Sequence, residues 1–135
     1  MSYDEFKSGV VIRYEYLWVR DAKRIETDKP RKVAVGVRLP RPDGDLLYLF
    51  PITKTPPRPD QFAAEIPTIE KRRAGLDIDL RLWIVLDEYN VERIGHSYYL
   101  EPMPPLGAFS KAFFLPLARE FVARRKAMKG VDRTA

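Results

Sequence analysis

The segment Leu46-Leu47-Tyr48-Leu49-Phe50-Pro51-Ile52-Thr53 is an apolar, aromatic-rich run that ends in a polar side chain. Asp43-Gly44 upstream and Pro56-Pro57 downstream supply turn residues on both sides. A run of this length between such boundaries predicts a β-strand buried on both faces. Thr53 then lies at the rim of an apolar core, where side chains are held in fixed positions and sites are commonly built.

The composition is that of one soluble globular domain. The chain has 135 residues, of which 45% are hydrophobic and 32% are charged. There is no cysteine and there is one histidine, which excludes disulfides, thiolate metal sites and a histidine metal cluster. A Mg²⁺ site built from carboxylates alone stays open, but no metal and no cofactor is expected.

No apolar run approaches the roughly 20 residues that a membrane-spanning helix needs, and residues 1–7 are polar and acidic. We therefore expect a cytoplasmic protein with no membrane partner.

Positive charge is concentrated in two segments. Residues 20–41 carry eight Lys/Arg against three Asp/Glu, and residues 119–133 carry six against two. Basic segments on an otherwise acidic chain indicate a polyanion or an acidic protein as partner. The alternative is a solvated loop and a solvated helix face.

Two further segments have clear strand patterns. Residues 10–19 alternate between two faces and predict a half-buried first strand. In residues 32–37 three valines share one face, while Ala34 and Gly36 leave the other face thin enough for another backbone to approach.

The rest of the chain is expected to contain two short strands (62–66 and 80–86), one helical turn or loop (68–75), two irregular segments (20–30 and 92–106) and a C-terminal helix (about 110–129). Ser110 is a suitable N-cap for that helix, although Pro116 could instead begin it. Fraying is expected after Lys129. The order predicts a mainly β fold, a small barrel over about 8–100 closed by the terminal helix.

The sequence resembles the MazF/PemK (Kid) toxin family of toxin–antitoxin systems. The resemblance covers roughly residues 7–94 and rests on five motifs: Ser8-Gly9-Val10-Val11, Pro30-Arg31-Lys32-Val33-Ala34-Val35, Phe50-Pro51-Ile52-Thr53, Ala74-Gly75-Leu76 and Trp83-Ile84-Val85-Leu86-Asp87-Glu88.

The resemblance implies an SH3-like barrel of the CcdB/PemK type, commonly a homodimer. It also implies an endoribonuclease that cleaves single-stranded RNA without metal and is neutralised by an acidic antitoxin. By motif, the family's active-site arginine and threonine correspond to Arg31 and Thr53, and an aspartate of the Kid branch corresponds to Asp87. Phosphate contacts would come from nearby cations, namely Arg20, Arg24, Lys29, Lys32 and Lys54.

The chemistry of RNA cleavage agrees with these residue types. The 2′-hydroxyl can attack the adjacent phosphate if a protein orients it, moves protons and stabilises charge on the phosphorane. Arginine suits phosphate oxygens, and its pKa above about 12 makes it a charge stabiliser more than a proton donor. A threonine at a strand end can position an oxygen, although it often caps its own backbone. Asp87 is the candidate base or orienting group.

Three positions depart from the family pattern. Val85 stands where Kid-like members have an arginine two residues before the aspartate. Glu88 stands where a glutamine is common, and Asn90 stands where an arginine is common. A carboxylate pair at 87–88 could repel RNA unless Glu88 pairs with a cation such as Lys54. His96 is a proton shuttle by residue type, but no motif places it near Arg31.

These departures leave two other interpretations open. One is a non-catalytic barrel that binds a protein or a nucleic acid, as in a gyrase-poisoning toxin of the same fold family. The other is a decayed toxin copy.

Overall fold

The computed structural model describes residues 2–21, 30–97 and 99–134. Within them the fold is mainly β. The strands are β1 (Val10–Tyr14), β2 (Arg31–Leu39), β3 (Leu46–Thr53), β4 (Ala63–Glu65), β5 (Trp83–Val85), β6 (Glu88–Arg93), β7 (Gly107–Ala108) and β8 (Lys129–Asp132). The α-helices are α1 (Thr68–Arg73) and α2 (Lys111–Arg124), and the 3₁₀ turns are Val19–Asp21 and Arg125–Ala127.

Strand β3 is the centre of the sheet, with the bounds that the sequence predicted. One edge pairs with β2, while the other edge pairs first with β6 up to Leu49 and then with β5 from Ile52. Pro51 lies in the gap between those two partners. Proline cannot donate to a ladder, so it is tolerated where the partner strand changes.

Both faces of β3 are buried, as predicted. Leu47 and Leu49 belong to one core cluster, and Phe50 and Ile52 belong to the other. The period-2 alternation of a strand therefore places a separate apolar core on each side of the sheet. The second core includes α2, whose Phe121 ring lies 4.6 Å from that of Phe50.

The strand order is β4-β5-β3-β2-β1-β7, with β6 between β3 and β8. All pairs are antiparallel except β6–β8, which is parallel. Within the described residues no pairing joins β4 to β7, so the hydrogen-bonded sheet stays open. The predicted mainly β class with a C-terminal helix is confirmed at that level, whereas the predicted closure into a small barrel is not seen in the described residues.

Helix α2 begins as Ser110 predicts. The Ser110 hydroxyl accepts a hydrogen bond from the N–H of Phe113 over 3.2 Å, and Pro116 lies inside the helix. Glu70 of α1 braces this start, because its carboxylate accepts from both the N–H and the hydroxyl of Ser110 over 2.8 Å. The helix ends at Arg124, earlier than expected.

Three expectations about strands were wrong. The first strand ends at Tyr14 and buries both faces apart from Arg13. Residues 88–93, partly assigned to an irregular segment, form β6. Beyond Lys129 the chain forms β8, because the Arg133 guanidinium is buried against Tyr14 and anchors the segment there.

The face of β2 that carries Ala34 and Gly36 also has a different neighbour from the one expected. A Cβ atom added to Gly36 would lie 2.0 Å from the Phe50 ring, so an aromatic side chain occupies the space expected for a backbone. In the described part of the chain, no helix has the length and apolar character required to cross a membrane.

Candidate functional site

Arg31 and Thr53 are brought together by the register of the sheet. Arg31 pairs with Tyr14 of β1, and Val33 pairs with Pro51 of β3. Extending this β2–β3 register by two residues places Arg31 opposite Thr53. Thr53 in turn pairs with Trp83 of β5. Cross-strand neighbours of this kind have Cβ atoms about 5 Å apart, so the two side chains share one end of the sheet.

Both side chains line one cavity of about 230 Å³, which we call the arginine cavity. Its walls come from β2, β3, β4, β5, the segment before β2 and the loop after β3. The lining residues are Trp18, Arg20, Arg31, Thr53, Thr55, Pro56, Pro57, Arg58, Gln61, Ala63, Trp83 and Val85. Every charged residue among them is an arginine.

The uncharged polar side chains of the cavity are left with donor hydrogens. The Thr53 hydroxyl oxygen accepts the N–H of Thr55 over 3.0 Å, and Gln61 Oε1 accepts the N–H of Arg58 over 2.9 Å. Thr53 therefore caps its own backbone and keeps its O–H to donate, while Gln61 keeps its NH₂ group. The indole N–H of Trp18 also has no acceptor within the described residues, but it is buried and does not add to the exposed donors of the cavity. The cavity thus favours a ligand that only accepts hydrogen bonds and carries negative charge.

Glu88 positions one wall of the cavity. Its Oε2 accepts the Tyr16 hydroxyl over 2.9 Å and the N–H of Val19 over 3.0 Å. Val19 lies between Trp18 and Arg20, whose guanidinium stacks 4.8 Å from the Trp18 ring centre. Burial raises the pKa of Glu88, and the two hydrogen bonds and Arg20 oppose that rise. The sequence suggested Lys54 as the partner of Glu88, whereas the hydrogen bonds go to Tyr16 and Val19.

Asp87 is not among the residues that line the arginine cavity. Its Oδ2 accepts the N–H of Phe62 over 3.2 Å, and it lines a neighbouring cavity instead. The reason is local, since β5 ends at Val85 and the chain turns at residues 86–87 before β6. Asp87, the candidate base or orienting group, therefore does not share the arginine cavity with Arg31 and Thr53.

The predicted phosphate contacts divide into three groups. Arg20 lines the arginine cavity. Lys32 follows Arg31 on the alternate face of β2, opposite Arg13, and Lys54 is exposed just beyond Thr53; neither lines the cavity. Arg24 and Lys29 lie outside the described residues.

Arg58, Gln61 and Trp83 belong to the cavity but were missed from the sequence. Arg58 lies in the proline-spaced loop directly after Thr53, so a cation following a candidate site strand was the available signal. Trp83 pairs with Thr53, which only the sheet register reveals.

His96 lies at the opposite end of β3 from the cavity. It follows β6, whose Arg93 pairs with Leu46, the first residue of β3. From Leu46 to Thr53 an extended strand covers roughly 23 Å. His96 is therefore too far away to exchange protons with a ligand at Arg31.

No cluster of three or more His, Asp or Glu side chains within the described residues could hold a metal ion. Comparison with known proteins found no matching family model, no matching curated protein and no matching solved structure.

Proposed function

We propose that this chain is a toxin-type endoribonuclease that cleaves single-stranded RNA in the arginine cavity without a metal ion. One observation carries the proposal: Arg31 and Thr53 share a cavity whose charged residues are all arginines and whose other polar side chains have hydrogens to donate. A phosphodiester is negatively charged and its phosphate oxygens only accept hydrogen bonds. It is therefore the part of RNA that this lining suits.

In the proposed reaction the 2′-oxygen attacks the adjacent phosphorus and the bond from phosphorus to the 5′-oxygen breaks. The products are a 2′,3′-cyclic phosphate and a 5′-hydroxyl. Arg31 stabilises the charge on the phosphorane, and Thr53 donates to a non-bridging oxygen. Among the described residues the lining has no carboxylate or imidazole. The 2′-hydroxyl proton is therefore lost to solvent, and the leaving oxygen gains its proton from solvent.

The proposal includes membership of the MazF/PemK family with its SH3-like fold, a homodimer and cytoplasmic residence. It also includes inhibition by an acidic antitoxin. The charge of the cavity supports that inhibition, because an acidic segment would compete with RNA for Arg20, Arg31 and Arg58.

Incubation of the purified protein with single-stranded RNA in EDTA tests the activity. We expect products ending in a cyclic phosphate, and we expect Arg31→Ala to slow cleavage by about 100-fold or more, as loss of a charge-stabilising donor typically does. Arg41→Ala is the matched control, because Arg41 is an exposed arginine in the connection between β2 and β3, remote from Arg31. Intact RNA, or an Arg31→Ala variant as fast as the parent, would overturn the proposal.

A second candidate is a non-catalytic RNA-binding protein. The specific observation in its favour is that, in the part of the chain that the structure describes, no side chain lining the arginine cavity is suited to proton transfer near neutral pH. Salt-sensitive RNA binding that depends on Arg31, with no product formed over long incubation, would identify this function.

A further inference from the structure

A second cavity lies directly beside the arginine cavity. Its volume is about 470 Å³, and it is lined by Asp60, Phe62, Asp87, Ala123, Arg124, Lys126, Ala127 and Met128. The two cavities meet along β4 and β5, where Ala63 pairs with Val85 and both line the arginine cavity. Phe62 directly precedes Ala63, and Asp87 lies in the turn that follows Val85. Neighbouring parts of one RNA strand can therefore occupy both cavities.

The walls of the second cavity suit a flat, partly polar group. The Arg124 guanidinium stacks on the Phe62 ring at 4.3 Å, which makes a planar cationic surface of the kind on which bases stack. Met128 adds an apolar contact. Asp60 is ion-paired with Arg58 of the arginine cavity over 3.3 Å, so the two cavities are also linked through their side chains.

Asp87 supplies the selective group. One carboxylate oxygen accepts the N–H of Phe62 over 3.2 Å, which fixes the side chain and leaves lone pairs for further donors. A carboxylate can only accept hydrogen bonds. Among the RNA bases, guanine presents two adjacent N–H donors, whereas adenine and cytosine place a ring acceptor beside the amino group and uracil has one ring N–H.

We infer that this second cavity is a guanine pocket, in which Asp87 accepts hydrogen bonds from N1–H and from the exocyclic amino group of a guanine. The inference rests on the proposed function, because the guanine belongs to a single strand whose phosphate is held in the arginine cavity. It gives Asp87 a role in base selection instead of proton transfer.

The test measures binding of 2′-O-methyl oligouridines, which cannot be cleaved, with one central uridine replaced by guanosine, inosine or adenosine. Inosine keeps N1–H but lacks the amino group. We expect the parent to prefer guanosine over inosine, which loses one of the two hydrogen bonds, by about tenfold, and over adenosine, which loses both, by at least as much. Asp87→Asn should reduce that preference below about threefold. Asp79→Asn, which changes the same charge in an exposed loop, should keep it.

Arg31→Ala separates this inference from the proposed function. This substitution should weaken the binding of all of these oligonucleotides alike. The ratio of the affinities for the guanosine-containing and inosine-containing strands should stay unchanged. Equal binding of all bases by a parent that still depends on Arg31 would overturn the guanine pocket alone. Unchanged preference in a folded Asp87→Asn variant would also overturn it. Failure of the parent to bind any of the oligonucleotides would overturn both proposals.

Discussion

The N–H of Val19 donates a hydrogen bond to Oε2 of Glu88 over 3.0 Å. Because Trp18 and Arg20 flank Val19 and line the arginine cavity, this contact fixes one wall of the site from the start of β6. Glu88, which departs from the MazF/PemK pattern, thus positions a wall of the arginine cavity.

Glu88→Ala is therefore expected to weaken RNA binding by several-fold, since Arg20 would lose its fixed position, while Glu88→Gln keeps an acceptor and should restore most of the affinity. Binding of a fluorescent single-stranded oligonucleotide measures both. A purely structural role would instead lower thermal stability and leave the affinity of the folded fraction unchanged. Equal affinities for Glu88→Ala and the parent would contradict a positioning role.

Cleavage should accelerate with pH. No described side chain of the arginine cavity is a carboxylate, an imidazole or an amine that could serve as a base. Hydroxide removes the 2′-hydroxyl proton in that case, so the logarithm of the single-turnover rate should rise with a slope near one between about pH 6 and pH 8. RNA affinity, measured in parallel, should stay constant. A bell-shaped profile would instead reveal an acid–base pair in the protein.

Glu92 is expected to make the fold less stable at higher pH. Its side chain is buried and accepts the Tyr14 hydroxyl over 2.5 Å. Burial raises the pKa of Glu92 above the value of about 4.3 for an unfolded chain. Between those two values the folded state binds more protons than the unfolded state, so stability is highest below the unfolded pKa and falls as pH rises through the window.

Glu92→Gln removes that titration. The urea midpoint of Glu92→Gln, taken relative to that of the parent, should therefore be higher at pH 8 than at pH 5. Glu101→Gln, an exposed carboxylate, is the matched control and should follow the parent. A difference between Glu92→Gln and the parent that is independent of pH would contradict the prediction.

Ser110→Ala should destabilise the fold by about 1–2 kcal/mol, because it removes both the N-cap of α2 and a donor to buried Glu70. Burial alone raises the pKa of Glu70, but the bonds from Ser110 and the Arg73 guanidinium outweigh it and lower the pKa. This stabilisation is present above the unfolded pKa and is lost as pH falls through the folded pKa. The cost of Ser110→Ala, measured by urea unfolding, should accordingly shrink at acidic pH.

Lys111→Ala is the neighbouring control for that measurement. Lys111 is exposed at the first position of α2, and its truncation should change stability by no more than about 0.5 kcal/mol. A similar cost for both substitutions would show that the cap and the Glu70 bonds contribute little.

Local patterns predicted the segments whose conformation is decided locally. Strand β3 was found with its bounds because an apolar run and its flanking turn residues coincide. The start of α2 at Ser110 was found because a serine side chain can cap a helix by itself. In contrast, β8 is held by its pairing with β6 and by Arg133, and nothing within residues 129–132 signals either contact.

The candidate site likewise combines features that the sequence predicted with features that it did not. That Arg31 and Thr53 lie together follows from strand order and register. The turn of the chain after Val85 directs Asp87 into the guanine pocket, and a strand pattern running to residue 86 gave no sign of it. Whether Thr53 donates or accepts depends on the single backbone contact to Thr55, which residue type cannot reveal.

The contact between the Arg133 guanidinium and the Tyr14 hydroxyl, 3.0 Å long, joins residues 119 positions apart. During synthesis the first strand leaves the ribosome long before residue 133. Tyr14 and Glu92 therefore cannot contact Arg133 until nearly the whole described chain has emerged. Closing so long a loop is a slow, late event. Completion of this polar cluster therefore requires synthesis to pass residue 133, and a nascent chain that stops short of it keeps an incomplete polar cluster against its core.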